Sequence, residues 1–142
     1  MPANPMLAPV VALVCWTLVI QIWMLATRIP ALAKKGISLK GARGGRGVDL
    51  EGVIEPKTQW KAHNYNHLME QPTLFYAIVL AMAAMGLSGA IAVALAWAYV
   101  VLRVAHSLVQ ATSNIVAIRF GLYLVSSLML IGLAILAAAA WL

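Results

Sequence analysis

Three stretches of this chain carry no charged residue: Met1–Thr27, Gln71–Leu102 and Phe120–Leu142. Roughly 20 consecutive apolar residues already cross the hydrocarbon core of a bilayer, so each stretch is long enough to span one. An aqueous domain of this size could not solvate all three. The middle stretch, about 32 residues, exceeds one crossing and is interrupted by Gly86-Leu-Ser-Gly89, which reads as a tight turn between two helices. The pattern predicts four transmembrane helices near Pro9–Thr27, Asn66–Met85, Gly89–Val109 and Phe120–Trp141. They form one all-α, up-down integral membrane bundle over residues 1–142, with a hydrophilic loop over Arg28–Lys61.

Composition supports this reading. Hydrophobic residues make up 63% of the chain and charged residues only 10%, and the mean hydropathy is +0.91, outside the range of soluble domains. A net charge of +6 would suit nucleic acid, but eight of the ten Lys and Arg lie in the Arg28–Lys61 connection beside apolar helices. The excess therefore reports topology rather than a nucleic-acid partner. The positive-inside tendency puts this loop and the Ser113–Arg119 connection in the cytoplasm and both termini outside, as in a multi-pass protein of a bacterial inner membrane. No Lys or Arg precedes the first apolar run, so that run reads as a retained span rather than a cleaved leader.

The loop opens basic, through Lys34, Lys35, Lys40, Arg43 and Arg46, and turns acidic at Asp49, Glu51 and Glu55 before Pro56. Its glycines oppose a stable helix. They do not make a phosphate-binding loop either, since no strand precedes them and no Gly-Lys-Ser/Thr follows. Contact with membrane lipid headgroups suits the Lys and Arg better. Cys15, the only cysteine, lies within the first apolar run and reads as a small packing residue. Ala77 with Ala81, and Ala90 with Ala94 and Ala98, form small-residue rows of the kind that let membrane helices approach closely.

The chemistry must come from polar residues left inside the spans. Counted from the Gly86–Gly89 turn at about 1.5 Å per residue, Glu70 and Arg103 lie at nearly one depth, roughly 22–25 Å down. His106 and Asn66 fall about a turn deeper, and Arg28 and Arg119 stand at the inner ends of the first and fourth helices. Ionisable groups at such a depth need partners and are site candidates. Asn66 and Glu70 are spaced i, i+4, and Arg103, His106 and Gln110 are spaced i, i+3, i+7, so two faces are expected to meet, with Glu70 opposite Arg103. Pro72 cannot donate to the carbonyl of Leu68 and should kink the helix there. One reading is that Glu70 and Arg103 only lock two helices together. Against it, Arg28, Arg103, Arg119, His63, His67 and His106 outnumber that single carboxylate, which suits an anionic ligand gripped by Arg forks. His63 and His67 have the spacing of a metal pair, but no HExxH pattern accompanies them and the layer is already positive, so no metal is expected.

The segment Ala62-His-Asn-Tyr-Asn66-His-Leu-Met-Glu70-Gln-Pro72-Thr-Leu-Phe-Tyr76 resembles the second-helix signature of the MAPEG family, the membrane-associated proteins in eicosanoid and glutathione metabolism, in its bacterial branch. Leu102-Arg103-Val-Ala-His106-Ser107-Leu-Val-Gln110, followed by Asn114 and Arg119-Phe120, is similar to that family's third-helix pattern and its closing Asn and Arg. The resemblance implies a homotrimer with glutathione as cosubstrate, bound between neighbouring subunits near the cytoplasmic side. It implies Arg119 and Arg103 as catalytic residues. Arg28, Asn66, Glu70, His106, Gln110 and Asn114 would bind the ligand. The activity implied is a glutathione-dependent transferase or peroxidase acting on a lipophilic small molecule: an Arg beside a thiol lowers its pKa, and the thiolate attacks the electrophile. Lys61 and His63 stand where the leukotriene synthases and microsomal transferases carry an Arg. That difference favours the alternative, a non-enzymatic scaffold or accessory subunit of a larger membrane complex.

Overall fold

A computed structural model describes residues 4–142, so the first three residues of the uncharged run Met1–Thr27 lie outside the described part. The described chain is helical: α1 (Leu7–Lys34), a 3-10 turn (Gly47–Leu50), α2 (Pro56–Leu68), α3 (Pro72–Ala84), α4 (Ala90–Thr112) and α5 (Val116–Trp141). Three of these, α1, α4 and α5, are long and apolar enough to cross a membrane.

The helix expected over Asn66–Met85 is divided. α2 ends at Leu68, and α3 starts at Pro72 after the turn Met69–Gln71. Pro72 offers no N–H to the preceding turn and stands at the first position of α3, where that loss costs nothing. α2 also begins ten residues earlier than the apolar run suggested, with Pro56 at its own first position. Its opening turn is polar and lies within the expected loop. α1 likewise continues past Arg28 to Lys34. Charge marks where an apolar run stops, not where backbone hydrogen bonding stops.

Two helix ends are closed by glycine in the left-handed region. Gly86 (φ 73) follows α3. Its N–H donates to Ala83, and that of Leu87 donates to Met82 at 2.9 Å. Gly36 (φ 69) closes α1 in the same way, through Ala33 and Leu32. α4 ends instead at Asn114 (φ 51), one of the few residue types that tolerate this conformation.

α4 is the central helix. It packs along α5 over most of its length and also against α1 and α2. The core joins Leu13 and Ile20 of α1 with Phe75, Val79 and Met82 of α3, Ala96 and Tyr99 of α4, and Leu133 of α5. Phe75 stacks on Tyr99 with ring centroids 4.4 Å apart. The loop-side half of α4 is buried but polar: Arg103, His106, Ser107 and Gln110 all lie inside.

Candidate functional site

Three hydrogen bonds fix the buried polar half of α4 to α2, and two more run through Gln71 at the α2–α3 break. Asn64 Nδ2 donates to Ser107 Oγ at 2.6 Å, tying α2 to α4. His67 Nδ1 lies 3.3 Å from Gln110 Oε1; since the amide oxygen accepts, the ring donates. Arg103 Nη2 donates to the backbone carbonyl of His67 at 3.1 Å. At the α2–α3 break, Tyr99 Oη donates to Gln71 Oε1 at 3.3 Å, and Gln71 Nε2 donates to Ser127 Oγ of α5 at 2.8 Å.

The expected Glu70–Arg103 pair is not made. Arg103 is fully buried, while the Glu70 side chain is 69% exposed, with His67 Nε2 at 4.0 Å. The break explains this. Residues 69–71 leave the helix, so the i, i+4 phase carried from Asn66 to Glu70 does not hold, and Glu70 swings outward. The backbone acceptor that Arg103 uses is the His67 carbonyl, one residue before Leu68, whose carbonyl Pro72 leaves without its helical donor.

On one flank of α2 a cavity of about 420 Å³ is lined by His63, His67, Glu70, His106, Gln110, Val116, Arg119, Phe120 and Tyr123. Glu70, His106, Gln110 and Arg119 are thus brought together. His67 packs between His106 (centroids 4.8 Å) and Tyr123 (5.7 Å, stacked). Arg119 stands in the first turn of α5, its Nη1 donating to Asn114 Oδ1 at 2.6 Å. Asn114 is therefore placed as the tether of Arg119 and does not line the cavity. Arg103 does not line it either; it lies behind His67.

Arg28 and Asn66 are on the other flank, in a separate cavity of about 450 Å³ with Arg46, Glu51, Gln59 and Tyr65. Arg28 Nη2 donates to Gln59 Oε1 at 2.7 Å, and Gln59 Nε2 donates to the Gly47 carbonyl and to Glu51 Oε1, both at 3.1 Å. His63 Nε2 also meets Glu51 Oε1. The hydrogen bonds to His63 and Gln59, with the nearby Arg28 charge, hold the Glu51 carboxyl below its ordinary value. The loop is thereby fastened to α1 and α2, and Asn66 is exposed. The single polar layer anticipated from depth alone is two compartments, with α2 as the wall and His63 on both sides.

Several residues of the site were not singled out from the sequence. Tyr123 lies one turn after Arg119 on α5, and Asn64 lies opposite Ser107, on a face that becomes legible only once α2 is treated as its own helix beginning at Pro56. Gln59 and Gln71 carry no motif.

The arrangement offers a charged donor (Arg119), an amide (Gln110), two imidazoles facing each other and one carboxylate, all around one opening. That set suits a ligand bearing both anionic groups and an ammonium. Searches of curated proteins and of solved structures return no match to this chain. The MAPEG family model matches residues 6–139, nearly the whole length. The chain thus belongs to the MAPEG family of integral membrane proteins, which includes both glutathione-dependent transferases and non-enzymatic members.

Proposed function

We propose that the cavity between α2, α4 and α5 binds glutathione and presents its thiolate to a lipophilic electrophile. The observation that carries this reading is Arg119, held by Asn114 at 2.6 Å and standing in one cavity with Glu70, His106 and Gln110. Glutathione has two carboxylates and an ammonium. Arg119 and Gln110 supply donors for the anionic groups, and Glu70 supplies the counter-charge for the ammonium. A cavity of this volume lies within the usual range for small-ligand sites. The guanidinium stabilises the thiolate, the thiol proton passes to water, and sulfur bonds to the electrophilic carbon as its leaving group departs.

The wider assignment is a homotrimer in the bacterial inner membrane. The Lys35–Glu55 loop faces the cytoplasm, the termini face outward, and α2 and α3 together make the fourth crossing. From Asn66 to Ala84 is roughly 28 Å at helical rise, close to the thickness of the hydrocarbon core. A neighbouring subunit would cover Glu70, which an isolated chain leaves facing outward at a depth where an uncovered carboxylate is costly.

A second reading, a scaffold or accessory subunit without activity, is favoured by the bonds Asn64–Ser107 and Gln71–Ser127, which staple helices and need no ligand. Titrating purified protein with reduced glutathione, following thiolate absorbance and thermal stabilisation, separates the two. Arg119→Ala is expected to abolish thiolate formation while leaving the melting temperature nearly unchanged, because a half-exposed side chain at a helix start packs little. Absence of binding at millimolar glutathione, with no turnover of an aryl halide or a lipid hydroperoxide, would leave the scaffold.

A further inference from the structure

Arg103 occupies the middle of the buried face of α4 with no exposed surface, and it borders neither cavity. Its one protein partner is the carbonyl of His67, at 3.1 Å from Nη2; Nε and Nη1 have no partner among the described residues. That carbonyl belongs to the last turn of α2, where the break removes regular helical donors. The Glu70 N–H reaches it only at 3.4 Å, and Pro72 has no N–H to offer the next carbonyl. The carboxyl end of a helix is the negative end of its dipole, so a guanidinium there is stabilised without a carboxylate partner.

The side chain of the same residue points the other way. The His67 ring enters the 420 Å³ cavity, between His106 and Tyr123 and against Gln110. His67 is the residue at which the break and the cavity meet, and its backbone is what Arg103 grips. We infer that Arg103 is a positioning residue: by holding the carboxyl end of α2 it fixes the His67 ring as a wall of the ligand cavity, and it does not contact the ligand itself. Its importance for glutathione rests on the function proposed above; its hold on His67 does not.

The competing assignment is that the unpartnered Nε and Nη1 reach the ligand directly. Two substitutions separate them. Arg103→Lys retains the charge at the end of α2 and one donor for the His67 carbonyl, and removes Nε and Nη1. Arg103→Met keeps the length but removes charge and donors, and replacing a buried charge with an apolar side chain is often tolerated by the fold. The imidazole signals of protein labelled with 15N-histidine in detergent, assigned with His67→Gln, report the ring without ligand, and titration with reduced glutathione reports the cavity. Positioning predicts that Arg103→Met moves the His67 signals and weakens glutathione by about 10–100-fold, as expected when a site residue is displaced by about an ångström. It predicts that Arg103→Lys restores both. Unchanged His67 signals in Arg103→Met would overturn the inference whatever glutathione does. So would an Arg103→Lys protein with wild-type His67 signals and lost affinity, which would assign the free donors to the ligand. If the wild type binds no glutathione, the proposed function fails, and the His67 signals alone decide whether Arg103 positions that residue.

Discussion

Replacing Gln59 with Leu should release the Lys35–Glu55 loop while the helices stay folded. Gln59 is 1% exposed and bonds Arg28, the Gly47 carbonyl and Glu51 at 2.7–3.1 Å, so one amide joins α1, α2 and the loop. Leu fills nearly the same volume and offers no polar atom. A bond to a charged partner such as Arg28 contributes about 1.5–3 kcal/mol and a neutral one such as that to Gly47 about 0.5–1.5 kcal/mol. The bond to Glu51 adds nothing to this count, because that carboxylate lies at the surface and rehydrates. The loss is about 2–4 kcal/mol of local stability, or roughly 30- to 1,000-fold in the opening equilibrium of the loop. Hydrogen exchange reads this directly. The amides of Glu51, Val53 and Ile54, bonded to Val48 and Leu50, should exchange faster by that factor. The amides of Gly36 and Ile37, which close α1, should not change. Unaltered protection across Glu51–Ile54 would refute the view that Gln59 fastens the loop.

Two further substitutions probe the same geometry. The hydrogen bond to His63 lowers the carboxyl pKa of Glu51, so the docking supported by that contact is fully present above the ordinary value of 4.5 and is lost as pH falls through the lowered value. Exchange of the loop amides should accelerate on acidification through that range in wild type, and Glu51→Gln should flatten the profile. Asn114→Gly retains the left-handed turn that ends α4 (φ 51) but removes the acceptor of Arg119. Thermal stability should hold while glutathione affinity falls by about tenfold, the lower end of what a loosened site residue costs; equal affinity would show that Arg119 needs no tether.

How far the fold was legible in the sequence differs from element to element. The uncharged runs located α1, α4 and α5 because bilayer thickness imposes a length that composition can show. The Gly86 turn was legible because only glycine enters the left-handed region freely. What failed was phase. Pro72 announced a disturbance, but a helix kinked at one residue and a helix broken over three give different faces upstream, and counting from Glu70 back to Asn66 assumed the first. The consequences were local: Asn66 was expected inside where Asn64 is, Glu70 was paired with Arg103, and Arg28 was merged into a layer from which α2 separates it. Residues whose positions rest on α4 alone, His106 and Gln110, fall where spacing put them, because no break intervenes between them and the turn at Gly86–Gly89.

The break also decides how the polar groups are divided, and that division favours a ligand site over a purely structural staple. Inside, the polar residues are tied to one another: Asn64 to Ser107, Gln71 to Ser127 and Tyr99, and Arg103 to a carbonyl at the end of α2, although Asn64 Oδ1 and Arg103 Nε and Nη1 have no partner among the described residues. Toward the cavity the charged side chains carry fewer ties. Glu70 faces outward with the His67 ring 4.0 Å away, and Arg119 has one neutral partner, Asn114, among the described residues. A staple alone would be most stable with those charges matched or absent, since unmatched charge near hydrocarbon is a cost without return. An uninterrupted helix would have allowed the match by keeping Glu70 on the face it shares with Arg103. By turning Glu70 out, Pro72 forgoes that pair and leaves one acid and one base open on the same 420 Å³ cavity, an arrangement complementary to a zwitterionic, multiply charged ligand.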